Sequence, residues 1–379
     1  MLETRQLAKE FLRRYGDGGY EVYFSPGRVN LIGEHIDYNG GFVLPAAISL
    51  GITAIVRKRK DDVIRVYSNN FKEEVFISFP VPAGQEGWVK YITATLQVLM
   101  DKGIQLSGAD ILIGGDLPLG SGLSSSASLE CLIAFIFNPA YQNERKQLAL
   151  DAQNAERKYV GVNCGIMDQF AVANGKRDHA LLLNCETLEY DYVPVDFGKY
   201  QLVIINSNKT RSLTESRYNE RRMECERALA ILSQYDPADS LCTIHPITLS
   251  QLQDDVLYRR AKHALTENDR VMRAVQALQN GNTDLFGLLL TESHQSLDEN
   301  FEVSCMELNT IVHYATHFEG CAGARMTGAG FGGCCIALVN KGQLNRFITY
   351  VGLKYEQKTG INADFYLCEI ADGVKRLND

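Results

Sequence analysis

Ten cysteines are scattered through the 379 residues without a single CxxC pair. This excludes a redox motif or zinc ribbon at local spacing, and all ten are expected to be reduced; Cys131, Cys185, Cys334, Cys335 and Cys368 sit among apolar neighbours, as buried thiols do. No run is apolar enough to span a bilayer, since the longest, residues 42–56, is broken by Pro45, Ser49 and Thr53. The first sixteen residues hold no apolar signal core and instead alternate charges with Leu2, Leu7, Phe11 and Leu12, the pattern of an amphipathic helix. Basic residues are scattered and the net charge is −8, which argues against a nucleic-acid surface. Repeats and low-complexity tracts are absent. The expectation is a cytoplasmic protein with room for two domains and no membrane or nucleic-acid partner.

What is present concentrates in two places. Residues 26–45, PGRVNLIGEHIDYNGGFVLP, set Arg28, Glu34, His35 and Asp37 within ten positions between two β-type segments. Gly27, Gly33, Gly40 and Gly41 are expected to permit tight turns around them. Carboxylates and imidazole suit a polyhydroxylated ligand, and the arginine suits a phosphate or a catalytic carboxylate. The alternative is a solvated turn. The second place is residues 111–135, where a strand leads through a glycine turn into a serine cluster and an apolar helix. Gly120 and Gly122 would let backbone N–H groups converge on an anion, with Ser124, Ser125 and Ser126 capping the helix. It is not a Walker A loop, because no lysine follows the glycines. A serine-rich cap without a ligand is the competing reading.

Phosphoryl transfer also needs a cation, and Mg²⁺ takes hard oxygen ligands. A loop serine and one carboxylate of the helical run 144–161 would suffice; Glu156 is preferred, with Asp151 and Glu144 as competitors. His313 and His317 have the spacing of a metal pair on a helix but no third ligand near in sequence, so they are read as ordinary helix residues. Further helices are predicted over about 88–103 and 216–232, and a strand at 202–206 opens a second half.

On these residues the chain resembles the GHMP small-molecule kinase family and, within it, the galactokinases. GRVNLIGEHIDYNGG at 27–41, LPLGSGLSSSAS at 117–128 and GARMTGAGFGGC at 323–334 fall in the family's order, and CGIMDQF at 164–170 and SRYNERRMEC at 216–225 are similar to galactokinases alone. The resemblance implies an α+β, two-domain GHMP kinase fold, divided here as 1–200 and 201–379, with the active site in the inter-domain cleft. It implies ATP-dependent phosphorylation of the anomeric hydroxyl of galactose to galactose 1-phosphate by a monomer, with Mg²⁺ as cofactor. Asp168 is then the catalytic base or an electrostatic orienter, with Arg28 beside it. Glu34, His35, Asp37, Gly165 and Tyr218 correspond to sugar-binding positions, and Ser126 and Glu156 to magnesium ligands. Trp88 and Tyr91 match the adenine-side motif, and Gly120, Ser121, Gly122, Leu123, Ser124, Ser125 and Ser126 the phosphate loop. The turn Gly328 to Gly333 would support sugar and phosphate from the second half. Ile36, Lys90, Asp298 and Phe301 depart from the usual galactokinase residues. An N-acetylgalactosamine kinase, or a non-catalytic galactose sensor, are the alternative functions.

Overall fold

The computed structural model describes residues 2–82, 84–118, 122–209 and 214–377. Its first half is organised by a six-stranded sheet. Strand β1 (Glu21–Asn30) pairs antiparallel with β3 (Pro45–Lys58), and a short β2 (Phe42–Val43) precedes β3. Beyond β3 lie β6 (Ala109–Gly115), then β4 (Val63–Ser68), parallel to β6, then β5 (Glu73–Ser78) at the edge. Alternation along the strands gives the sheet two covered faces. Val22, Ile55 and Leu112 meet Leu7 and Phe11 of α1 (Leu2–Tyr15), whereas Tyr23, Ala54, Val56 and Ile111 join the main core. That core also takes in α2 (Val89–Asp101), α3 (Ser125–Phe137), α4 (Arg145–Ala155) and α5 (Met167–Asn174).

A small sheet of β2, β7 (His179–Asn184) and β8 (Tyr190–Pro194) leads to the second half. There β9 (Tyr200–Asn206), β10 (Cys321–Thr327), β11 (Cys334–Asn340) and β12 (Asp364–Leu367) form an antiparallel sheet in the order β10-β11-β9-β12. Helices α6 (Thr214–Leu232), α7 (Asp255–Gln279), α8 (Thr283–Glu299), α9 (Met306–Thr316) and α10 (Leu344–Thr359) complete it. The Asp254 carboxylate accepts from the N–H groups of Val256 and Leu257 and so starts α7, and Gly360 in a left-handed conformation ends α10. The final strand β13 (Lys375–Leu377) returns to pair with β1, so residues 375–377 belong to the first sheet.

Three local expectations change. Arg28 lies on β1 itself, not in the following loop. Gly33 and Gly40 do turn, with φ of +99° and +71°, but a Cβ on Gly27 would lie 2.4 Å from the Leu117 side chain and one on Gly41 2.7 Å from Cys242 Sγ. Those two glycines serve close approach of neighbouring segments. Finally, α4 ends in a π-helical turn, Glu156–Val160, which rotates the side chains that follow. No disulfide joins the cysteines of the described residues, and no helix among them is long and apolar enough to cross a membrane.

Candidate active site

The halves meet at a cleft of about 740 Å³. Arg28 from β1, Gly122 and Ser124 to Ser126 at the head of α3, Glu156 from the π turn and Asp168 from the first turn of α5 line it, with Glu34, His35 and Asp37 of the 31–41 loop. Tyr218, Gly328 and Ala329 reach it from the second half. Among the expected site residues, Gly120 and Ser121 lie outside the described residues, and Leu123 is buried behind the turn without lining the cleft.

At its centre Arg28 grips Asp168 with two hydrogen bonds, Nε to Oδ1 and Nη2 to Oδ2, both 2.9 Å, while Nη1 donates to the Gly122 carbonyl at 2.7 Å. Arg28 is buried; the Asp168 side chain keeps 32% of its exposure and faces the cleft. Ser124 adds a third bond, its hydroxyl donating to Asp168 Oδ2 at 2.5 Å. It therefore does not cap α3 through its side chain, as the sequence suggests, and its φ of +61° is a strained conformation of the kind that collects at functional sites.

The 31–41 loop carries three groups with displaced titration. Burial pushes the Glu34 carboxyl up against the opposing pull of Arg325 and Arg28, and its Oε1 accepts from Gly328 N at 2.6 Å and Thr327 Oγ1 at 3.2 Å. Burial pulls His35 down to about 3, so the ring is neutral. Its Nε2 meets the Ala329 carbonyl at 3.2 Å and must carry the proton, which leaves Nδ1 to accept from the Tyr38 hydroxyl at 2.8 Å. Both nitrogens of this expected sugar ligand are thus engaged by protein. Asp37 is pushed up to about 7 by burial and then by the charges of Asp168 and Glu34. A Cβ on Gly165 would lie 1.7 Å from Asp37 Oδ2, so only glycine admits the carboxylate there.

Glu156 also rises to about 7, through burial and then the Asp168 charge, against hydrogen bonds that include those from Gln169 (2.6 Å) and Ser126. Its competitors stand elsewhere: Asp151 is tied to Lys102, Gln147 and Tyr141, Glu144 is exposed, and neither lines the cleft. Among the described residues no group of three His, Cys, Asp or Glu side chains could hold a metal, His313 and His317 included.

Another part of the wall is aromatic. Trp88 donates Nε1 to Glu73 at 2.8 Å and lies parallel to Phe71 with ring centroids 6.0 Å apart; Tyr91 and Lys90 line the same cleft. Ser68 ends β4, and Asn70 and Phe71 lie on the β4–β5 connection, where no motif marks them. Of the four departures, only Lys90 faces the cleft. Ile36 is buried against Gly41, and Phe301 packs under His35 with centroids 5.0 Å apart.

This fold and cleft define a small-molecule kinase of the GHMP type. The GHMP kinases N terminal domain matches residues 90–176 and the GHMP kinases C terminal model residues 274–357. The galactokinase galactose-binding signature matches residues 9–58, and the chain belongs to the galactokinase family. It is 46% identical to a galactokinase of Clostridium tetani, over 99% of this chain and 98% of that one, and 46% identical to one of Enterococcus faecalis, over 98% and 99%. The crystal structure of Lactococcus lactis galactokinase complexed with galactose superposes with a TM-score of 0.94 at 40% identity, covering 99% of this chain and all of that one. A Methanococcus jannaschii mevalonate kinase, at 19% identity, 94% and 99% coverage and a TM-score of 0.68, shares the fold.

Proposed function

We propose that this kinase transfers the γ-phosphoryl group of ATP to the anomeric hydroxyl of galactose, and that Asp168 handles the hydroxyl proton. The observation that carries the reading is the Arg28–Asp168 pair, set where the sugar-type loop and the phosphate-type turn converge. With both oxygens held, the carboxylate is fixed in orientation, and fixed geometry is what phosphoryl transfer chiefly asks of a protein. The anomeric oxygen forms the bond to the γ-phosphorus, the bond to the β–γ bridging oxygen breaks, and the hydroxyl proton passes to Asp168. Glu34, Asp37, the Gly165 backbone and Tyr218 read the sugar hydroxyls, while His35 shapes that wall through its ring. Gly122, Ser125 and Ser126 approach the phosphates, and Trp88, Tyr91 and Phe71 the base.

Ser126 and Glu156 fit the magnesium role: a hydroxyl and a carboxylate lie side by side, and Glu156 is a buried acid whose charge meets no cationic side chain among the described residues. When bound, Mg²⁺ neutralises charge on the transferred group. The reading includes a cytoplasmic monomer and a chain divided near residue 200, with β13 returning to the first half. A panel of galactose, N-acetylgalactosamine and glucose with ATP and Mg²⁺, scored by ADP release and by phosphorus NMR of the product, tests it. Galactose 1-phosphate as the main product supports the reading; galactose binding without ADP release overturns it in favour of a sensor.

A further inference from the structure

The backbone of Glu34 is held between two unusual conformations, Gly33 at φ +99° and His35 at φ +61°. Such a path persists only if neighbouring structure over-determines it. Its polar groups are met from outside the loop, by one helix. The N–H groups of Gly33 and Glu34 donate to Glu267 Oε1 at 3.0 and 3.3 Å, and the Glu34 carbonyl accepts from His263 Nε2 at 3.1 Å. His263 and Glu267 are four residues apart on α7 and so share a face.

Both are themselves fixed from α8. Ser296 Oγ meets His263 Nδ1 at 2.9 Å, and Ser293 donates to Glu267 Oε1 at 2.6 Å; Arg270 Nε donates to Glu267 Oε2 at 2.8 Å. Because Nε2 of His263 faces a carbonyl, it carries the proton and Nδ1 accepts, an assignment the partners require. Burial pulls His263 down to about 4 and the ring stays neutral. Burial would raise Glu267, but Arg270 and the surrounding donors hold it at about 2, so it is an anion. Neither residue lines the cleft.

We infer that His263 and Glu267 are positioning residues for sugar recognition: together they clamp the Glu34 peptide by its N–H and its C=O, and so aim Glu34 and His35 at the cleft. This rests on the reading that the 31–41 loop carries the sugar. The same side chains also join α7 to α8 through Ser293 and Ser296, so loop positioning is told from general packing by a change in galactose binding beyond any change in stability.

The test uses the full-length protein with Glu267→Gln, which keeps an acceptor oxygen but loses the charge, and His263→Phe, which keeps ring volume and removes the donor. The expected result is a rise of about tenfold in galactose KM and in galactose Kd measured without nucleotide, with ATP KM within about twofold of the parent. A lowered melting temperature with unchanged galactose KM and Kd overturns the inference and leaves a structural role only. Should either variant fail to fold, Ser296→Ala releases only the ring's orientation; it is expected to raise galactose Kd about threefold, and an unchanged Kd overturns the inference. A parent protein that does not phosphorylate galactose would instead refute the functional reading, so the two failures are distinct.

Discussion

Ser124 donates its hydroxyl to Asp168 Oδ2 at 2.5 Å from a backbone held at φ +61°, joining the head of α3 to the first turn of α5. A serine of the glycine-rich turn thereby acts on the carboxylate and not on the helix end. Ser124→Ala is expected to lower kcat about tenfold, the scale of one lost hydrogen bond to a charged group, with ATP KM within about twofold. Ser124→Gly should show the same loss of kcat with a higher melting temperature, because glycine relieves the left-handed backbone. A raised ATP KM at unchanged kcat would instead make Ser124 a phosphate ligand.

Asp168→Asn keeps the shape of the side chain and removes its charge. Turnover should fall by roughly two orders of magnitude or more with galactose Kd little altered. Arg28→Ala should also cut turnover, since it removes both guanidinium bonds and leaves the carboxylate held by Ser124 at Oδ2 alone. Steady-state kinetics with equilibrium sugar binding check both, and near-parental turnover of Asp168→Asn would rule out the assigned role.

Glu156→Gln should raise the Mg²⁺ concentration for half-maximal rate about tenfold and leave nucleotide-free galactose binding unchanged. Asp151→Asn should leave the Mg²⁺ requirement alone but lower stability by about 1–3 kcal/mol, because it disrupts the buried hydrogen bond with Tyr141 and weakens the part-buried pair with Lys102. The reverse pattern, read from Mg²⁺ titrations and urea unfolding, would exchange the two carboxylates' roles.

Asp37, raised to about 7 in the folded protein, binds its proton more tightly folded than unfolded. Its contribution is therefore favourable in acid and is lost as pH rises from about 4 through 7. Asp37→Asn has no charge to bury, so its stability relative to the parent should be greater at pH 8 than at pH 5 by about 1 kcal/mol or more. Urea unfolding at both pH values measures this, and an equal difference at the two would contradict the raised titration.

Much of the site was legible because its signals are contiguous in the chain. Glu34, His35 and Asp37 sit within four positions, the serines of 124–126 adjoin a glycine turn, and helices such as α2 announce themselves by apolar spacing. The resemblance linked these segments with Asp168, Tyr218 and Glu156, and the structure brings all of them to one cleft. Phe71 gave no signal, since an aromatic residue in a strand connection is indistinguishable from a surface one until the connection folds beside Trp88.

The sequence motifs, through their resemblance to the GHMP kinases, determined by themselves the α+β class, the kinase family and many of the residues facing the cleft. Only the tertiary structure decided how those residues are held. Ser124 chooses Asp168 over its own helix, both nitrogens of His35 are taken by protein, and the Glu34 peptide is gripped by residues 229 and 233 positions away. The reason is physical: a local motif is selected by short-range backbone geometry, whereas a buried donor or acceptor takes whichever partner packing brings within about 3 Å once water is gone.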